Sequence, residues 1–502
     1  MLVTHKLQMT LSQNNPPRFM RFLGQDVSYR DAVTFINKFS YFLQNFVQHK
    51  KRVGVFMRHS PYIYYSFFGL ANTLNQMVPL NPDWSNEELV EALDELDVDM
   101  ILIEEGLKKR ATEISLLSKK KPPTLPIDSR RCGEYDKAYR LPVGMSANDK
   151  DVILWLPSDG HSGKRKWIPY NHIMIEAQAL ALRFAYKSAP IDTFFTYKLS
   201  PLHPFAFIHG GIVPLLNGAS VMLSDQIAPL ELIPQLMEGK ATRLIINPRC
   251  LFEFLDGMKA SNLKWPRLRS ITPIKNQVSA AARALADELF NESKILQHYG
   301  CIESGFAATM MTMETANGGG HLGQALPGVT IRILDAHGND VKPGSGQVGE
   351  IVLSGKNVTS GYLKVHSEND KFAFRGTSFF TGDVGYVQKS GELVYVGKKL
   401  LVPQHQGNYI NPIEAEQKVK ALPGVAEATI VSVENRMGRP TRLLLLQRNN
   451  PELANANDVM KFCKENLPEH VQPANLVMIP EFPYTEWGTI DHHKLARQLP
   501  AA

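Results

Sequence analysis

The sequence has little cysteine. Its 502 residues hold four, Cys132, Cys250, Cys301 and Cys463, and none lies in a C-x-x-C pair. That spacing excludes a zinc ribbon or a vicinal redox pair, and the density excludes a disulfide scaffold, so a reducing compartment is expected. Long apolar runs are also missing. The most apolar stretch, Tyr62–Ala71 (YIYYSFFGLA), is too short to span a bilayer. The stretch Met1–Phe19 lacks the continuous apolar segment of a signal peptide. Nor does one sign of charge dominate: 55 Lys+Arg against 49 Asp+Glu leave a formal charge of +6. Nucleic-acid binders concentrate far more basic charge on one face. A cytoplasmic protein with no nucleic-acid partner and no membrane span is the expectation. What is present is a globular composition, 44% hydrophobic and 21% charged. Wholesale disorder is thereby excluded, and the length predicts about two to four structural units.

The first half alternates strand-like and helix-like segments. Residues 52–57, 77–80, 100–103 and 151–156 read as short strands, and 61–73 and 86–96 read as helices. Ser85 is the expected N-cap of the second helix, with Glu87 and Glu88 in its first turn. Such alternation predicts an α/β fold with a mostly parallel sheet. The basic stretch 107–131 reads as a solvated connector. From Gly323 short β-rich runs recur at 329–334, 349–353 and 393–396, which predicts a β-rich portion. Beyond 398–407 follows an α+β pattern, with helices at 413–419 and 458–467 and strands at 426–433 and 442–447. A domain boundary is placed there, giving an N-terminal domain 1–398 and a small C-terminal domain 399–502.

Three segments hold residues suited to nucleotide chemistry. In LWLPSDGHSGKRKWIPYNH (154–172) a strand enters a loop with Ser158, Gly160, Ser162, Gly163, Lys164 and Lys166. Glycine backbone and hydroxyls can approach an anion and lysine supplies charge, so the loop reads as a polyphosphate cradle or as an ordinary polar loop. It is not a GxxxxGK[ST] P-loop, and Asp159 works against an anion. In HYGCIESG (298–305) Glu303 follows a tight turn and can offer an oxygen to Mg²⁺. In FTGDVG (380–385) Asp383 can accept hydrogen bonds from ribose hydroxyls.

Taken in order, these segments resemble the acyl-adenylate-forming enzymes: acyl- and aryl-CoA synthetases, amino-acid adenylation domains and luciferases. The resemblance extends from 52–105 through the loop at 158–167, 201–223, 299–303, 323–335 (GQALPGVTIRILD), 349–363 (GEIVLSGKNVTSGYL), 381–397, 407–416 (GNYINPIEAE) and 483–495. It implies a large N-terminal domain of two α/β subdomains plus a β-rich portion, and a small C-terminal α+β domain moving on a hinge. It implies coupling of a small carboxylic acid to ATP, giving acyl-AMP with Mg²⁺, and transfer to CoA or to the phosphopantetheine of an acyl carrier protein. On that resemblance Gly160, Ser162, Gly163 and Lys166 belong to the phosphate loop, with Ser158 at its start. His203 falls near the acyl pocket, which would draw on 203–211, the region of Ile274, and 301–305. Phe205, Phe207 and Phe306 would line such a pocket or simply fill the core. Tyr299 and Gly300 fall beside the adenine, Glu303 on the metal ligand, Asp383 on the ribose, Lys398 on the ribose or phosphate, and Gly407 on the thiolation loop.

The departures from the family pattern sit in the site. Asp159 and His161 replace hydroxyl residues, Arg165 replaces a proline and Trp167 a glycine. Arg165 and His161 are basic additions that could partly offset Asp159, which the sequence does not decide. Ile274 and Lys275 fall where two glycines are usual, Ile302 where threonine is usual, and Leu400 at the hinge aspartate. Thr489 stands in place of the lysine that contacts the acyl carboxylate and α-phosphate, with Lys399 as a conceivable substitute; Lys494, five residues along the element, usually points elsewhere. Two readings stand: a divergent ligase with impaired adenylation, and a non-catalytic member that binds an acyl group, a nucleotide or a carrier protein.

Overall fold

Two six-stranded sheets carry the first half of the chain. In the computed structural model all residues are described except 15–17, 128–138, 140, 142–144, 159–164, 225–227, 275–277, 279, 291–294, 313–319, 366, 435–439, 484–493, 496–498 and 500–502. The first sheet runs Thr124–Pro126, Met100–Ile103, Arg52–Phe56, Gln76–Pro79, Val152–Pro157, Trp167–Asn171. It is parallel except for the last pair. The second runs Ser270–Pro273, Arg243–Ile246, Thr193–Tyr197, Ser220–Leu223, Met20–Phe22, Gln25–Val27, again parallel up to an antiparallel edge. Expected strands and helices fall within a few residues of their places, and Ser85 and Glu88 form a reciprocal capping box on helix Asn86–Glu95.

The stretch too short for a membrane becomes helix Tyr62–Asn72, buried from Ile63 to Ala71. It is apolar all round because it is covered all round. Helix Tyr29–Leu43 crosses it at Gly69, where a Cβ would meet the Phe39 ring at 2.8 Å, and Phe207 stacks on Tyr64 with centroids 6.1 Å apart. Among the described residues no helix is long and apolar enough to cross a membrane.

The basic stretch 107–131 is not the solvated connector its charge implied. Its described part forms helix Lys108–Leu117, which buries Ala111 and Ile114, and strand Thr124–Pro126, which pairs with Met100–Ile103. The lysines occupy the solvent face while a narrow apolar stripe closes the core, a pattern that a count of charges conceals.

A hairpin, Leu296–Tyr299 with Thr309–Thr312, leads to an antiparallel sheet ordered His321–Gln324, Glu392–Lys398, Ser378–Val387, Gly349–Gly355, Val329–Leu334. The last unit has Val425–Glu434, Pro440–Arg448 and Asn475–Met478 with helices Ile413–Lys420 and Ala456–Asn466. The architecture is thus a large α/β part with a β-rich portion, followed by a smaller α+β part. Its hydrophobic clusters are distinct: Leu401 packs with Val431, Leu443 and Phe482, while its neighbour Val402 packs with Val348, Val384 and Val396.

Candidate active site

The turn after strand Leu296–Tyr299 is the centre of the site. It turns tightly because Gly300 has no Cβ; one there would meet the Phe306 carbonyl oxygen at 2.5 Å. Four consecutive carbonyls of this turn are held from other elements. Tyr170 Oη donates to Ile302 O. The Thr359 N–H donates to Glu303 O at 2.8 Å. Gln178 Nε2 and Asn357 Nδ2 donate to Ser304 O at 3.0 and 2.7 Å. His209 Nε2 lies 3.2 Å from Gly305 O. Glu303 is thereby fixed, its side chain nearly buried at 8% exposure. Tyr362 donates its hydroxyl to Glu303 Oε1 at 2.8 Å. Burial, then the adjacent Glu303 charge, pushes that phenol far above its ordinary range, so it stays a donor.

Lys166 approaches from the other side. Its ammonium lies 4.9 Å from the Tyr362 ring centroid and pairs with the buried Asp370 carboxylate. Ser158 ties the base of the preceding loop: its N–H donates to Lys166 O at 2.8 Å and its Oγ accepts from the Lys166 N–H at 2.9 Å. Strand alternation puts Lys166 on one side and Arg165 and Trp167 on the other.

Arg165 is engaged away from Lys166: its guanidinium bonds Glu88 Oε1 at 2.9 Å and lies 4.0 Å over Trp84. Trp167 is 2% exposed, contacts Trp84 edge-on at 6.4 Å and donates to Glu95 Oε2 at 3.0 Å. Both residues dock the loop onto helix Asn86–Glu95.

Asp383 and Lys398 face each other in the antiparallel register of their strands, and their charged atoms are 2.5 Å apart. Tyr299 donates to the other Asp383 oxygen at 2.8 Å. The structure therefore brings Ser158, Lys166, Glu303, Tyr299, Gly300, Asp383 and Lys398 into one continuous chain of contacts. His203 instead caps the helical stretch 204–216, whose next turn carries His209 to the Glu303 turn. Phe205 and Phe306 belong to the layer against that turn, whereas fully buried Phe207 stacks in the core on Tyr64. Gly407 has φ +79° and open space around it, in the hairpin Gln404–His405/Asn408–Tyr409. Gly160, Ser162 and Gly163, with Asp159, His161 and Lys164, lie outside the described residues, as do Lys275 and Thr489. Ile274 is buried at 1% in the main core. Lys399 is engaged by Glu350 at 2.6 Å, and Leu400 is 61% exposed.

Sequence reasoning missed Tyr362, Asp370, His209, Gln178 and Asn357. A partial signal existed: Gln178 is a polar residue on the buried face of helix His172–Tyr186. The donor set fits Mg–ATP rather than a free-standing metal. No group of three His, Cys, Asp or Glu side chains forms a metal site among the described residues. One buried carboxylate suffices for Mg²⁺ when phosphate oxygens and water complete its shell.

Comparison with known proteins adds four findings. The family model "AMP-binding enzyme" matches residues 11–363. An oxalate–CoA ligase of Saccharomyces cerevisiae is 26% identical over 94% of this chain and 92% of its own. ATP-bound MatB of Rhodopseudomonas palustris superposes over 99% of both chains with a TM-score of 0.80 at 18% identity. The o-succinylbenzoate coenzyme A synthetase of Bacillus subtilis, solved with ATP and magnesium, gives 0.74 at 17% over 98% of this chain and 99% of its own.

Proposed function

Because the chain belongs to the AMP-binding enzyme family, we propose that it is an AMP-forming acid–thiol ligase. A carboxylate oxygen attacks the α-phosphorus of ATP, the bond to pyrophosphate breaks, and acyl-AMP results. A thiol sulfur of CoA or of a carrier-protein phosphopantetheine then attacks the acyl carbon, AMP leaves, and the thiol proton passes to solvent. The observation that carries this reading is the contact chain Lys166–Tyr362–Glu303 and Tyr299–Asp383–Lys398. The CoA-ligase relative supports an acid–CoA reaction, and the neighbours solved with ATP and magnesium support those ligands.

Each residue has a part in this reading. Asp383 accepts the ribose hydroxyls, oriented by Tyr299 and countered by Lys398. Lys166 exchanges the Asp370 carboxylate for phosphate, remaining paired in both states. Glu303 holds Mg²⁺ with Tyr362 setting its rotamer; the ion, when bound, offsets phosphate charge. The 1–398 part binds acid and nucleotide, and the 399–502 part turns about the segment 398–402 to bring the Gly407 loop over the thiol path. A cytoplasmic location goes with this activity.

Adenylation by the unmodified chain is weak in this reading. Thr489 supplies a neutral hydroxyl where an ammonium would offset developing charge, a difference of about 3–4 kcal/mol by analogy with an oxyanion donor. A non-catalytic, ligand-binding role is the second reading, favoured by the same Thr489 and by the Lys166–Asp370 pair. Two measurements test these. Calorimetric titration with Mg–ATP should show binding that Asp383→Ala weakens at least about tenfold, as expected for losing charge-assisted hydrogen bonds. Acid-dependent exchange of labelled pyrophosphate into ATP should be slow and rise in Thr489→Lys. ATP binding with no exchange in either protein would favour the second reading; no ATP binding would refute the nucleotide site.

A further inference from the structure

Beside the Glu303 turn, a layer of rings packs against a strand pair that also borders a cavity of mostly apolar lining, to which Arg183 and Lys187 contribute. Strand Leu296–Tyr299 pairs antiparallel with Thr309–Thr312, so that His298 faces Met310 and Leu296 faces Thr312. Alternation puts Leu296 and His298 on one face, and directly opposed side chains on such a face start about 5 Å apart. Toward the Glu303 turn, Phe205 stacks against both His298 and His209, with centroids 4.8 and 4.2 Å apart. Phe306 meets Phe205 edge-on at 5.6 Å. Away from the turn lies a cavity of about 640 Å³, lined by Leu296, Met310, Leu326, Leu180 and Phe184. It opens to solvent, since Leu180 and Phe184 are 62% and 68% exposed. Met310 thus lines the cavity and opposes His298, which puts His298 and the Phe205 ring stacked on it next to that lining.

We infer that His298 and Phe205 form the wall that limits this protein to short acids, with the cavity behind it shut off from the reacting end. The inference rests on the ligase reading, in which the acid's carboxylate meets ATP at the Glu303 turn. Rings in stacking contact admit no hydrocarbon between them, because carbon–carbon contacts need about 3.5–4 Å on each side of an inserted chain. The cavity's volume falls within the roughly 300–1,000 Å³ usual for ligand pockets, so it would take a longer chain once the wall is cut.

Two backbone features set the layer in place. Phe306 holds φ +72°, a conformation that costs a bulky side chain about 1–3 kcal/mol and persists only where surroundings enforce it. The helical stretch 204–216 takes a π turn over Ile208–Ile212, a rare feature frequent at functional sites. That turn contains His209, which contacts Gly305 O and stacks on Phe205. Burial keeps both imidazoles neutral, His209 at about 3 and His298 at about 4, so the wall carries no charge that would reward a second carboxylate.

The test compares acetate, butyrate, octanoate and decanoate by calorimetric binding in the presence of AMP, and by acid- and CoA-dependent AMP release. Wild type should bind butyrate at least about tenfold better than decanoate, and His298→Ala or Phe205→Ala should shift that ratio at least about tenfold toward decanoate, the scale of methylene discrimination in apolar pockets. Met310→Trp added to His298→Ala should reverse the shift by filling the opening from behind. Should His298→Ala fail to fold, Phe205→Leu and Met310→Ala, checked by thermal melting, carry the same comparison. Equal binding of decanoate and butyrate by wild type, an unchanged ratio in the folded variants, or no acid binding at all would overturn the inference. A shifted binding ratio without any AMP release would leave the wall standing and refute the ligase reading instead.

Discussion

Three buried imidazoles give the protein a signature in acid. His172, His209 and His298 are held neutral by burial at about 4, 3 and 4, against an ordinary value of 6.5. His172 Nδ1 also accepts the Val3 N–H at 3.2 Å, a bond that protonation would abolish. The unfolded chain takes up these protons near 6.5, while the folded chain refuses them until near 4 or below. Between those values the unfolded state binds more protons, so stability is full above about pH 6.5 and declines as pH falls toward 4. Scanning calorimetry from about pH 7.5 to about pH 5, above the range of ordinary carboxylates, should show a falling melting temperature, with a shallower slope in His209→Gln. A flat profile would mean that these rings are protonated or hydrated in the folded protein. At this scale the carboxylates were legible in the sequence, since Glu303 and Asp383 stand beside glycine turns. Their partners were not: Tyr362 reaches Glu303 from 59 residues away, and Asp370 reaches Lys166 from a distant part of the chain.

Among the elements, the junction between the segment 154–172 and helix Asn86–Glu95 shows how the sequence misled. Arg165 and Trp167 sit beside the glycine- and serine-bearing stretch 158–164, which made them look like changes to a ligand site. Period-two alternation, applied to 165–167, was the available signal that they point away from Lys166. Glu88 and Glu95, seven residues apart on one helical face, receive them, and Glu88 also accepts the Ser85 N–H at 2.8 Å. Trp167→Ala should destabilise the protein by about 3–5 kcal/mol, as large-to-small core changes do. Arg165→Ala should cost under about 1 kcal/mol, because Glu88 is half exposed and solvent replaces the pair. Urea titration measures both, and a larger loss from Arg165→Ala than from Trp167→Ala would contradict the docking role. The parallel sheets were readable because buried strands and amphipathic helices alternate. The helix Lys108–Leu117 was not, since it opens on Lys108, Lys109 and Arg110 and its buried apolar stripe is only Ala111 and Ile114.

Across the whole molecule, adjacent residues at the junction belong to different cores: Leu401 to the C-terminal cluster and Val402 to that of the β-rich sheet. Leu401→Asp would bury an unpaired carboxylate and cost the C-terminal part at least about 3 kcal/mol. Calorimetry should then resolve an earlier transition for 399–502, with the larger part melting close to its wild-type temperature. A single transition that shifts as one would show a shared cooperative unit instead. The suspension of the Glu303 turn has a different consequence, for the sequence's own history. Four side chains and one backbone amide, drawn from four parts of the chain, share the load of carbonyls 302–305. A load divided in that way lets any one support drift while the others keep the carboxylate in register, so substitutions at Tyr170, Gln178, Asn357 or His209 one at a time can be tolerated where their joint loss would not.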